Sequence, residues 1–139
     1  MKKFNKNLCF IIQALNEQDS IVKIISKVKV YGKIVVVDDG SEDKTNFLSK
    51  KMGAIVVNHK FNKGYEKSLF SGFKKAIKLG NKFAITIDAD GQHSIKDVVK
   101  IISHLHKNIA IVYATRKKKQ RFMEYVYSYY TKFFYNIED

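Results

Sequence analysis

Two rhythms of apolar residues alternate along this chain. Short, nearly unbroken runs at 8–14, 33–37, 54–57, 83–87 and 109–115 lack a helical gap and are rich in β-branched residues, which predicts five buried strands. The run 83–87 is apolar or β-branched throughout and is expected to be covered on both faces. Between the runs, apolar positions recur every three or four residues. Ile21, Ile24, Ile25 and Val28 mark a helix behind an Asp19 or Ser20 cap, and Phe47, Leu48 and Met52 mark the inner side of a shorter one over 43–52, stopped by Gly53. A longer helix opens at 62–64, turns Leu69, Phe73, Ala76 and Ile77 inward and stops near Gly80. Ser94, with Asp97 three residues on, caps a fourth helix whose stripe is Ile95, Val98, Val99, Ile102 and Leu105. Five strands alternating with four helices through short links predict an α/β fold. It is a mostly parallel, Rossmann-like sheet with helices on both faces, occupying residues 1–116. Residues 117–139 form a second segment, a C-terminal helix that is basic at its start and aromatic almost all round.

In sheets of this kind ligands bind beyond the carboxyl ends of the strands. Polar residues gather there in this sequence: Asn16 and Glu17 after the first strand, Asp38 and Asp39 after the second, 62–64 after the third and 88–92 after the fourth. The last cluster says most. Asp88 and Asp90 alternate along an extended segment and so point the same way, Gly91 lets the chain turn, and Gln92 adds a neutral oxygen. Oxygen donors in that number suit Mg²⁺ or Mn²⁺, a hard cation that bridges to substrate phosphates. An acidic turn that merely caps the next helix is the plain alternative for the two aspartates alone, and the three other clusters on the same rim weigh against it. Asp38 and Asp39 suit ribose hydroxyls or base N–H groups, and Gly64 at a helix start permits close backbone approach to an anion. Such a rim fits a nucleotide diphosphate whose departure a cation would assist, which is group transfer. No Ser-His-Asp, Walker or zinc spacing is present. His104 and His106 point to different faces of a helix and read as surface or core residues, whereas His93 adjoins the acidic loop.

Charge narrows the partners. A net charge of +13, from 26 basic and 13 acidic residues, favours phosphates, acidic lipid or nucleic acid, and the absence of any nucleic-acid-binding motif removes the last from expectation. Cys9 has no second cysteine to pair with, which is compatible with a reducing compartment. No signal-peptide pattern is seen, and no run approaches the ~18 apolar residues that span a bilayer. The expected location is therefore cytoplasmic, peripheral at the membrane if the tyrosines and phenylalanines of 121–137 lie in its interface and not against their own domain.

The ordered motifs A-L-N-E (14–17), V-V-V-D-D-G-S-E-D-K-T (35–45), N-K-G-Y-E-K-S-L-F-S-G (62–72) and D-A-D-G-Q-H (88–93) resemble those of family 2 glycosyltransferases of the A-type nucleotide-sugar fold. The similarity is to the branch that includes dolichyl-phosphate mannose and polyprenyl-phosphate sugar synthases. It implies an inverting, metal-dependent transfer from a nucleotide diphosphate sugar to a polyprenyl phosphate or another cell-envelope glycan acceptor. By this resemblance Asn16, Glu17 and Asp39 touch the nucleotide and Asp88 lies at the ribose or diphosphate side. Asp90 and Gln92 hold the metal, and Arg116, one of only two arginines with Arg121, grips a phosphate bidentately. Gln13 and Leu15 stand where the family has proline and tyrosine, and Ser94-Ile95 replaces a proline common after the acidic motif. Family members continue well past residue 139, so the chain is expected to be the donor-binding half, C-terminally short, with a non-catalytic nucleotide-sugar-binding or scaffold remnant as the alternative. An open edge at 109–115 beside the aromatic tail is then expected to make the chain a homo-oligomer or to bring it to a membrane surface.

Overall fold

A computed structural model describes residues 4–89 and 94–105. Four strands alternate with four helices: β1 (Leu8–Ala14), α1 (Ile21–Val28), β2 (Lys33–Asp38), α2 (Thr45–Lys51), β3 (Ile55–Asn58), α3 (Tyr65–Lys78), β4 (Phe83–Asp88) and α4 (Ile95–Ser103). All pairings are parallel and the strand order is β3-β2-β1-β4. The expected strand over 109–115 and the C-terminal helix lie outside the described residues.

The sheet divides two apolar layers. Alternate side chains of β1 and β2 (Leu8, Phe10, Ile12, Ile34, Val36) join Ile85 and Ile87 of β4 and meet Ile21, Ile24, Ile25 and Val28 of α1 and Val98 of α4. Leu48 and Met52, at the end of α2, pack against the same layer. The other face, Cys9, Ile11, Val35 and Val37, is covered by α3 through Ala76 and Leu79. Three helices therefore lie on one side and α3 on the other, because the β3–β4 connection runs back across β2 and β1 and a right-handed crossover then places its helix on the opposite face.

Side-chain size misled the expected inner faces of two helices. On α3 the buried residues are Ser68, Gly72 and Ala76, spaced by four, whereas Phe73 and Ile77 are exposed and Leu69 is only half-buried. The cause is close approach: a Cβ on Gly72 would sit 2.3 Å from Ile11 Cγ2 and 3.2 Å from Val37 Cγ2, so only small residues fit at this contact. On α2, Thr45 and Ser49 are buried and Phe47 is 64% exposed. On α4, Ile101 packs inward where Val99 was expected. Strand β4 is covered on one face only: Ile85 and Ile87 are buried, but Ala84 and Thr86 are exposed, since α3 lies mainly over β1 and β2. The Ser94 cap is present, its side chain accepting from the Lys96 N–H.

Candidate functional site

Register brings the polar strand ends onto one line. Asp38 at the end of β2 lies opposite Ala14 of β1 on one side and Asn58 of β3 on the other, and Asp88 at the end of β4 lies opposite Gln13. The chain turns from β1 toward β2 in one direction and reaches β4 on the other side, so the crevice between the ends of β1 and β4 is the switch point of the sheet. The start of α3 reaches the same rim, where Gln13 Nε2 donates to the Tyr65 carbonyl at 3.0 Å.

The loops after β1 and β2 are laced together. Asn16, left-handed at φ 56°, donates its N–H to Ser41 Oγ at 2.9 Å and accepts the Glu42 N–H on its side-chain oxygen at 2.9 Å. The Glu17 N–H donates to Thr45 Oγ1 at 2.7 Å and the Gln18 N–H to Asp43 Oδ2 at 3.0 Å, while the Glu17 carboxylate takes the Ser20 hydroxyl. Left-handed backbone is tolerated by asparagine, whose short polar side chain here secures the facing loop. Burial raises the Asp43 pKa, but the Thr45 hydroxyl and the N–H groups of Thr45 and Gln18 outweigh it and hold the carboxyl below its ordinary value.

Asp38 and Asp39 are buried and engaged by the protein. Asp38 accepts the Ser41 N–H at 3.0 Å and Asn46 Nδ2 at 2.7 Å, and Asn46 also donates to Asn58 across the rim. Asp39 accepts His59 Nδ1 at 2.6 Å and the Lys63 N–H at 3.0 Å on Oδ1, and the Gly64 N–H at 2.9 Å on Oδ2. Gly64 has φ 89°, so the anion approached by the N–H groups ahead of α3 is the Asp39 side chain itself. Burial raises the Asp39 pKa, and the bonds from His59, Lys63 and Gly64 overcome it, leaving the carboxyl below its ordinary value. The buried Ser68 hydroxyl adds to that lowering although it has no hydrogen-bond partner of ordinary geometry.

His59 was not singled out from the sequence. It is buried and reaches Ser71 Oγ through Nε2 at 3.0 Å. The rule that found Asp38 and Asp39, polar residues directly after an apolar run, would have found it too, since Asn58-His59 follows β3. Asp88 is half-buried, and its charge, after burial, helps raise the pKa of Tyr65. The structure thus brings Asn16, Glu17, Asp38, Asp39, Gly64 and Asp88 to one end of the sheet. Asp90, Gln92, His93, Arg116 and Arg121 lie outside the described residues, and among the described residues no group of three or more His, Cys, Asp or Glu could hold a metal.

Among the described residues, one parallel sheet with helices on both faces and polar strand ends at its switch point defines a doubly wound α/β protein. The chain belongs to glycosyl transferase family 2, whose sequence model matches residues 9–137. It is 43% identical over 105 residues to an uncharacterized protein of Methanocaldococcus jannaschii, covering 73% of this chain and 43% of that one. It is 33% identical over 117 residues to the UDP-N-acetylglucosamine–dolichyl-phosphate N-acetylglucosaminyltransferase of Methanococcus voltae, covering 70% and 47%. A match of 26% over 130 residues joins it to the undecaprenyl-phosphate 4-deoxy-4-formamido-L-arabinose transferase of Pectobacterium atrosepticum, covering 83% and 38%. The chain spans about half or less of the length of these relatives. Among solved structures it is similar to glucosyl-3-phosphoglycerate synthase of Mycobacterium tuberculosis, in complex with Mn²⁺, UDP and glucosyl-3-phosphoglycerate. The identity is 21% and the TM-score 0.49, over 62% of this chain and 34% of that one.

Proposed function

We propose that this chain is the donor-binding part of an inverting, metal-dependent glycosyltransferase that moves a sugar from a nucleotide diphosphate sugar to a polyprenyl phosphate. The observation that carries the reading is Asp88. It stands at the end of β4 opposite Gln13, at the switch point, and begins the run D-A-D-G-Q within a family 2 chain whose relatives include dolichyl- and undecaprenyl-phosphate sugar transferases. Asp88, Asp90 and Gln92 offer only oxygen donors, which fits Mg²⁺ or Mn²⁺. When bound, such an ion neutralises the diphosphate and stabilises the charge that develops as it leaves.

The other roles follow from position. Asn16, Glu17, Asp38 and Asp39 form the nucleotide side of the rim, with Gly64 at the start of α3 completing it. Arg116 takes a phosphate of donor or acceptor. An acceptor phosphate oxygen attacks the anomeric carbon, the bond from that carbon to the diphosphate oxygen breaks, and inversion results from one displacement. An acceptor that is already anionic needs no general base. The basic and aromatic sequence of 117–139 suits a membrane interface, where a polyprenyl phosphate resides.

The test measures sugar transfer to polyprenyl phosphate from a panel of nucleotide sugars, with and without Mn²⁺, alongside calorimetric binding of UDP. Metal-dependent transfer, with Asp90→Asn weakening metal-dependent UDP binding without unfolding the chain, is expected. UDP binding without transfer would overturn the catalytic part of the reading, and equal UDP affinity in Asp90→Asn would overturn the metal assignment.

A further inference from the structure

Asp39 is held by three groups that follow β3. Two are backbone N–H donors of the loop before α3, and the third is a side chain, His59, that is itself buried and held at its far end. A carboxylate only accepts, so the proton of the 2.6 Å contact sits on His59 Nδ1, while Nε2 meets the Ser71 hydroxyl at 3.0 Å. The line Ser71–His59–Asp39 therefore ties the second turn of α3 to the end of β2. Its order resembles a hydrolase triad, but the acid here also accepts two backbone N–H groups and serves as the anion ahead of α3, so its geometry is that of a brace.

The arithmetic of lone pairs gives the brace a purpose. A carboxylate offers about four acceptor sites. On Oδ1, His59 and Lys63 fill both, and on Oδ2, Gly64 fills one, with the Ser68 hydroxyl also acting on the carboxylate. Without His59, Oδ1 is left half-satisfied in a buried place, and the side chain can rotate to seek other donors. We propose that His59 is a positioning residue for donor binding, fixed by Ser71 and in turn fixing the orientation of the Asp39 carboxylate at the nucleoside side of the rim. This rests on the reading of Asp39 as a nucleotide contact. The lowered pKa of Asp39 agrees with a carboxylate kept ionised for accepting.

Two isosteric substitutions separate the ends of the brace. The side-chain nitrogen of His59→Asn falls at the place of Nδ1 and keeps the bond to Asp39, whereas that of His59→Gln falls at the place of Nε2 and keeps only Ser71. With UDP as the probe, His59→Ala and His59→Gln are expected to weaken binding about tenfold, the loss of one hydrogen bond to a charged group. His59→Asn is expected to restore most of it, and Ser71→Ala to weaken binding by a smaller factor. Amide hydrogen exchange supplies a readout independent of ligand: in His59→Ala and His59→Gln the Lys63 and Gly64 amides should exchange about tenfold faster while those of β1 stay protected. Equal behaviour of the Asn and Gln variants, or unchanged exchange in His59→Ala, would overturn the proposal, because a residue that merely fills space would show one of these. A parent chain that binds neither UDP nor another nucleoside diphosphate would overturn the functional reading and the donor side of the proposal, leaving the exchange data to decide whether His59 orders Asp39.

Discussion

The seating of α3 on the sheet at Gly72 makes the sharpest test of the fold. Replacing Gly72 by alanine adds a methyl whose carbon would lie 2.3 Å from Ile11 Cγ2, a separation that real Cβ atoms essentially never show. Relief to the ordinary ~3.5–4.0 Å between carbons requires a movement of more than about 1 Å. Ile11 cannot supply it alone, because it is fully buried in β1 with Val35 and Thr86 in register on either side. Alanine raises helix propensity over glycine by about 1 kcal/mol, and overpacking a filled core costs about 1–3 kcal/mol. With the contact this short the upper part of that range applies, so Gly72→Ala should destabilise the fold by about 1–2 kcal/mol and lower the Tm by roughly 3–10 °C. Urea and thermal unfolding measure it. A double-mutant cycle adds the cause: Ile11→Ala, which alone costs about 2–5 kcal/mol, should cost about 1 kcal/mol less in the Gly72→Ala background, where it removes the clashing methyl. A Gly72→Ala protein as stable as its parent would refute the close seating of α3 and, with it, the explanation of why its large apolar residues point outward.

Three further outcomes follow from buried or paired groups. Asp39 and Asp43 have folded pKa values below their unfolded ones, so the stability they contribute is present above the unfolded value of 3.8 and lost as pH falls through the folded values. Unfolding free energy should therefore drop on acidification below about pH 4, less steeply in Asp39→Asn, and an identical acid limb in that variant would contradict the assignment. Burial pushes the Cys9 thiol up to about 11, against a small opposing pull from Lys33, so the fold favours the neutral thiol below the unfolded value of 9.0 and loses that stability as pH rises through the folded one. Native protein at pH 8 should accordingly react with a thiol reagent only as fast as it opens, and immediate labelling would show the core to be misassigned. Spectrophotometric titration of tyrosine should find Tyr65 shifted upward, by burial first and by Asp88 second, and Asp88→Asn should move it part of the way back. No movement would separate Tyr65 from the Asp88 end of the rim.

Strand positions were legible because parallel strands in a covered sheet are marked by unbroken apolar runs, and β1, β2 and β4 match those runs within a residue. The inner faces of α2 and α3 were not, because hydrophobicity ranks a position by what burial would gain, whereas these faces are decided by how near the helix lies to the sheet. Gly72 and Ser68 carry no apolar pattern to read, and Phe73 and Ile77 imitate one. At the rim, sequence placed the polar clusters at the right end of the sheet but could not tell a side chain aimed at a ligand from one aimed at the neighbouring loop. Asn16, Asp38 and Asp43 each bond to a backbone or side chain of a loop or strand end beside them, and His59 escaped notice because a single histidine after a short strand has no spacing to distinguish it.

That double duty changes how substitutions at the rim must be interpreted. Removing a side chain that braces a loop takes the acceptor from that loop's donors and loosens it, whether or not a ligand is ever bound. Asp38→Ala would free the half-buried Ser41 N–H and leave Asn46 with Asn58 alone, and Asn16→Ala would free the exposed Glu42 N–H, so lost nucleotide affinity in either would follow from a displaced loop as readily as from a lost contact. Asp90 and Gln92 differ in kind from these, being proposed as metal ligands. A role in binding is separable from a role in folding only where stability and affinity change independently. For the braced aspartates the two should move together, with affinity falling in step with loss of protection at the 41–45 amides. For Asp90→Asn affinity should fall with the melting curve unchanged. A panel in which every rim substitution lowered stability and affinity in one fixed proportion would mean that the whole rim is scaffold, and that the donor is held elsewhere.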